Sequence, residues 1–185
     1  RVTILAGRGN NGGDALVAAR FLDAFDCRVR LLGRPDAITT DIARENWDAL
    51  TRCGYDTETV RDSSAIDLAD PDVVVDAMLG TGISGALREP AATAARAVND
   101  ADAVVLSVDV PSGLDAETGE LAEGAVDPDH VVTFHDTKPG LDDLDTPITI
   151  ADIGIPDAAE SVVERGDHAL EAGGIVGRGE LEGHW

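Results

Sequence analysis

The chain has 185 residues, 43% of them hydrophobic and only 3% aromatic, so one domain with an Ala, Val, Leu and Ile core fits the composition. Thirty-six acidic residues against 14 basic give a net charge of -22, which argues against nucleic acid as a partner, because phosphate neutralisation needs a basic surface. No apolar run approaches the ~20 residues that span a bilayer, so no membrane is expected; two cysteines without metal spacing, Cys27 and Cys53, point to a reduced, cytoplasmic setting.

In chain order, Val2–Ala6 reads as a strand and Gly13–Phe25 as a helix with Val17, Phe21 and Phe25 on its buried face. Cys27–Leu32 is a second strand, and Thr40–Cys53 a helix with Ala43, Trp47 and Leu50 spaced for burial. Asp56–Val60 is a weaker strand. Asp72–Met78 and Ala103–Asp109 are apolar runs of the kind buried on both faces of a sheet. Ala91–Asn99 is helical, and His130–Phe134 and Ile148–Ile153 close the series. Strands alternating with helices imply βαβ crossovers, hence an α/β fold with a mostly parallel central sheet in a Rossmann-like three-layer αβα sandwich. The core pattern fades after residue 160, so 1–160 is expected to form the domain. Residues 161–185 are expected to be a tail, or the start of a linker to an absent domain.

Ligands of such sheets bind beyond the carboxyl ends of the strands, and there the sequence is unusual. Gly7-Arg8-Gly9-Asn10-Asn11-Gly12-Gly13-Asp14 follows the first strand. One glycine would serve a tight corner; two asparagines beside Gly12-Gly13, with an acid at Asp14, suit a lattice for phosphate or ribose. The loop is not a P-loop, since the Lys-Ser/Thr ending is missing. "DAMLGTGISGALREP" follows the fourth strand. Its Asp76 ends a buried strand and needs a cation or several donors, unless it only caps the next turn. "SVDVPSGLDAETG" places Asp109 before a rigid turn, either as a general acid or base or as the support of an Asx-turn. "FHDTKPGL" holds Lys138, the single lysine beside thirteen arginines. That lysine is a chance survivor on the surface, a contact to ligand phosphates, or a loop anchor. Abundant acid with almost no lysine is also the surface expected of a halophilic protein, where molar salt shrinks screening to about 3 Å.

The motifs "GNNGGDA", "DAMLGTG", "SVDVPSGLDAETG", "TFHDTKPGL" and "ADIGIP", in this order over roughly Val2 to Pro156, resemble the NAD(P)H-hydrate epimerase family, the YjeF N-terminal domain. The resemblance implies interconversion of the R and S forms of hydrated NADH and NADPH (NADHX, NADPHX), so that an S-specific dehydratase, here fused or separate, can recover the cofactor. It implies a potassium ion held by Asn11, Asp76 and Ser112. It places the substrate against Asn10, Asn11, Gly12, Gly13 and Asp14, against Gly80, Thr81, Gly82, Ile83, Ser84, Gly85 and Ala86, and at Asp109, with Lys138 added from its place beside Pro139-Gly140. Asp109 matches the catalytic aspartate.

Three departures stand out: Ala15 where a further glycine is common, the loose "ALREP", and no helical segment before the first strand. The last would leave a wall of the site, or a homodimer face, to be supplied. The tail around "VGRGELEGHW" is similar to the point where two-domain relatives continue into a dehydratase. The competing expectations are a non-catalytic binding or scaffold module of the same fold, which loss of Asp109 or the asparagine pair would favour, and another nucleotide enzyme. An acid ending the second strand would favour the latter; Leu31-Leu32-Gly33-Arg34 stands there instead.

Overall fold

The structure, a computed structural model, describes residues 1–82 and 85–156. It consists of β1 (Val2–Ala6), α1 (Asn10–Ala19), β2 (Cys27–Leu32), α2 (Asp41–Arg52), β3 (Asp56–Val60), β4 (Val73–Ala77), α3 (Ala91–Asn99), β5 (Val104–Val108), β6 (His130–Phe134) and β7 (Ile148–Ala151). All seven strands pair in parallel in the order β3-β2-β1-β4-β5-β6-β7. The first six follow the doubly wound order, and the chain reverses direction across the sheet between β1 and β4.

Alternation along the strands sends side chains to two cores. Val2, Ile4, Val29 and Leu31 meet Ala15, Leu16 and Ala19 of α1 and Ala43, Trp47 and Leu50 of α2. On the other face Leu5, Leu32, Val74 and Val105 meet Ala91, Ala94, Ala95 and Val98 of α3. Helices on both faces make the three layers. Beyond α3, Val110, Leu114 and Ala116 continue that cover over Val131 of β6. At the outer strands, Arg30 of β2 is held by Asp56 (3.1 Å) and Glu58 (3.3 Å) of the edge strand β3. Those acids explain why β3 is only weakly apolar.

The sequence misleads at α1. The helix ends at Ala19, and Val17, Phe21 and Phe25, expected to be buried, are exposed. Its inner face is made of small residues instead. A Cβ on Gly12 would lie 2.1 Å from the Gly7 carbonyl oxygen, and one on Gly7 would lie 1.8 Å from that of Met78. The first turn of α1 therefore touches the strand ends backbone to backbone, which larger residues would prevent.

β4 and β5 are less enclosed than their apolar runs suggest. Val73 and Val75 are half-buried and Val104 is exposed, because α1 and α2 lie over β1 and β2, and no described helix covers that face of β5 to β7. The chain divides into a compact unit, Arg1–Ala151, and a second unit beginning at Asp152, in which the Gly154 amide donates to the Asp152 side chain. The tail expected over 161–185 lies outside the described residues. Among the described residues no helix is long and apolar enough to cross a membrane.

Candidate active site

A cleft of about 1390 Å³ opens at the carboxyl ends of the strands, over the reversal between β1 and β4. Gly7–Gly9 and the first turn of α1 form one wall, with Asn10, Asn11, Gly12 and Asp14 reaching the cleft. Gly80, Thr81, Gly82, Gly85 and Ala86, from the β4–α3 loop, line the facing wall, and Asp109 closes the β5 side. Of the expected substrate residues, Gly13 abuts Ala43 of α2, where an added Cβ would come within 2.8 Å, and Ile83 and Ser84 lie outside the described residues. The α1 N-terminus has no side-chain cap, so its first amides remain available to an anion.

Asp76, at the end of β4, is fully buried. It accepts hydrogen bonds from Ser112 Oγ (2.6 Å), the Ser112 amide (2.8 Å), Ser107 Oγ (2.9 Å) and the Met78 amide (3.3 Å). Burial pushes its carboxyl up against the pull of the Ser112, Ser107 and Met78 donors. Two of these donors are backbone amides, one on each oxygen, that can only donate, and the two hydroxyls can add to them, so the arrangement suits a carboxylate, whose buried charge calls for a cation. Ser112 Oγ also accepts from the Leu79 amide (3.0 Å), and Asn11 Nδ2 donates to the Leu79 carbonyl (2.8 Å). The three residues expected around an ion are thus brought together through Leu79. Asn11 Oδ1, meanwhile, is buried and has no partner among the described residues. An unpartnered oxygen on a residue tied through Leu79 to a hydroxyl and a buried carboxylate fits a hard monovalent cation.

Asp109 is built differently. It follows β5 in the left-handed region (φ 66°), where aspartate is one of the few tolerated residues, and its amide donates to the Val132 carbonyl (2.7 Å). Oδ1 accepts from Thr133 Oγ1 (3.1 Å) and pairs with Lys138 Nζ (2.9 Å); Oδ2 has no partner among the described residues. Lys138 Nζ donates further to Thr133 Oγ1 (2.9 Å) and to the carbonyls of Phe134 (2.8 Å) and Asp136 (3.0 Å). Its ammonium sits behind Asp109 and does not line the cleft, so of the three expectations the anchor describes it best. The cleft walls, and then the Asp109 charge, push the Asp14 carboxyl above the usual range.

Several site residues were not singled out in the sequence. Ser107 and Thr133 gave a faint signal, as single hydroxyls inside apolar strands. Arg8 and Arg88 line the cleft, and neither guanidinium pairs with an acid among the described residues, in a chain where acids far outnumber bases.

Residues 1–140 match the family described as YjeF-related protein N-terminus. The chain is 45% identical over 168 residues to the NAD(P)H-hydrate epimerase of Cenarchaeum symbiosum, covering 88% of this chain and 78% of that protein. It is 46% identical over 178 residues to the bifunctional NAD(P)H-hydrate repair enzyme Nnr of Methanothermobacter thermautotrophicus, covering 90% of this chain but 34% of the relative, so it spans about a third of the bifunctional protein. The crystal structure of yeast ynu0, YNL200c, superposes with a TM-score of 0.75 at 24% identity, over 87% of this chain and 70% of that one, and has the same fold. With most of its length matched by the family, and the cleft built from the family's motifs, the chain belongs to the YjeF-related N-terminal domains.

Proposed function

We propose that this chain is an NAD(P)H-hydrate epimerase, interconverting the R and S forms of NADHX and NADPHX at C6 of the hydrated nicotinamide ring. The observation that carries the reading is Asp109: one carboxylate oxygen tied down by Thr133 and Lys138, the other free at a dinucleotide-sized cleft. Asp109 Oδ2 delivers a proton to the C6 hydroxyl, which departs as water and leaves an iminium-like ring. Water adds back on the opposite face, and its proton returns to the carboxylate, so no net proton is consumed. Acid–base assistance of this kind is worth ~10²–10⁴-fold.

Asn10 to Asp14 and Gly80 to Ala86 are assigned to the diphosphate and riboses, with the α1 amides offering donors. Asn11, Asp76 and Ser112 would hold a potassium ion, which supplies the positive charge that the buried carboxylate lacks. Lys138 is assigned to positioning Asp109 rather than to the substrate. An S-specific dehydratase, fused or separate, is the proposed consumer of the product, and a homodimer the proposed assembly. The test follows conversion of R-NADHX and R-NADPHX by a coupled S-specific dehydratase, with and without potassium. Acceleration over the spontaneous rate supports the reading; its absence under both conditions overturns it.

A further inference from the structure

The reactive end of the cleft is fixed by Asp109 at β5, so a dinucleotide reacting there must extend across β4 and β1 toward β2. Three strand spacings cover roughly 14 Å. That path ends at Leu32, Ala37 and Thr39, which line the far side of the cleft. In doubly wound folds the end of β2 is where the adenosine ribose is read: an acid there binds a free 2′-hydroxyl, and an arginine nearby accepts a 2′-phosphate.

Here β2 runs into Gly33 and Arg34, and Arg34 is already paired with Asp36. The side chain of Arg8 lies directly over Gly33: an added Cβ would come within 2.7 Å of Arg8 Cδ and 3.1 Å of its Nε. The Arg8 backbone is held by Thr39, whose amide (2.9 Å) and hydroxyl (3.1 Å) both donate to its carbonyl. Its guanidinium has no ion-pair or hydrogen-bond partner among the described residues. In a chain of net charge -22, a positioned and unpaired cation at this point favours an anionic ligand group.

We infer that Arg8, over the end of β2, forms a subsite for the 2′-phosphate of the adenosine ribose, so that the chain prefers 2′-phosphorylated dinucleotides. The inference rests on the epimerase reading for the direction of the substrate and deepens it by naming NADPHX as the better substrate. Arg88 lies on the β4 side of the cleft and would serve the diphosphate common to both substrates.

The test compares the whole chain with its Arg8→Gln and Arg88→Gln variants in two measurements. Calorimetric binding of adenosine 2′,5′-bisphosphate and of AMP needs no catalysis. The 2′-phosphate should tighten binding about tenfold in the native chain, the gain expected of a charge-assisted pair, and less than twofold in Arg8→Gln. Arg88→Gln should keep the ratio. The kcat/KM ratio of NADPHX to NADHX should follow the same pattern. Equal binding of the two nucleotides by the native chain, or a preference that survives Arg8→Gln, overturns the subsite even where epimerisation is intact. A preference lost in Arg8→Gln, in a chain that epimerises neither hydrate, supports the subsite and overturns the epimerase reading alone.

Discussion

Two carboxylates, one strand apart, end in opposite conditions. Asp76, near the end of β4, is sealed from solvent with donors on both oxygens, whereas Asp109, after β5, lines the cleft and has one oxygen without a partner among the described residues. What separates them is the second oxygen. Ser112 and Ser107 occupy both oxygens of Asp76, making it a fastener between β4, β5 and the loop that follows β5. Thr133 and Lys138 crowd onto one oxygen of Asp109, which steadies the group while leaving the other for a substrate. Burial builds the first region; asymmetry suits the second to the proposed proton transfer.

Substituting each acid should break the comparison in a different place. The largest effect is expected for Asp109→Asn, which should lower kcat by ~10²–10⁴-fold with little change in melting temperature. A melting temperature that drops instead would make Asp109 a second fastener. Asp76→Ala should do the reverse, costing about 3 kcal/mol because several buried donors lose their acceptor. A domain of this size would then melt roughly 6–12 °C lower, and any stabilisation by potassium seen in the native chain should vanish. Thermal unfolding in potassium and in sodium measures both.

Lys138→Met should be milder, lowering kcat about tenfold through a less steady Asp109. KM should hold within about twofold, and Lys138→Arg should restore part of the loss. A change in KM alone would return the lysine to substrate binding. The smallest effect concerns Asp14, whose folded carboxyl binds its proton more tightly than the unfolded one, through desolvation first and Asp109 second. Folding stability contributed by this group is therefore lost as pH rises above the ordinary carboxylate value. Asp14→Asn should remove that loss, a gain of a fraction of a kcal/mol for so open a group. Urea unfolding at pH 4 and pH 7 reads the difference, and an equal effect at both would refute it.

The strands were legible because β-branched runs alternate with polar junctions, and their ends shift by only a residue or two. The inner face of α1 was not. Periodicity weighs large apolar side chains, and there the contact is made by Gly12 against Gly7. Asp76, Asp109 and the asparagines could be named from their place at or just beyond strand ends. Which oxygen of Asp109 is held could not, because Thr133 and Lys138 reach it only through the β5–β6 pairing. Arg8 was equally hidden: its meaning depends on Gly33, brought beside it by the β1–β2 register.

The left-handed backbone at Asp109 has an evolutionary consequence. Few side chains accept that conformation; asparagine and glycine do, and both lack the acid. A single substitution to either would silence the proposed reaction while keeping the loop, the cleft and the residues proposed to hold the ion in place. The proposed catalysis is thus the property this fold can lose most cheaply, and a descendant that lost it would keep the same cleft. Such descendants would be recognised by the residue at this one position.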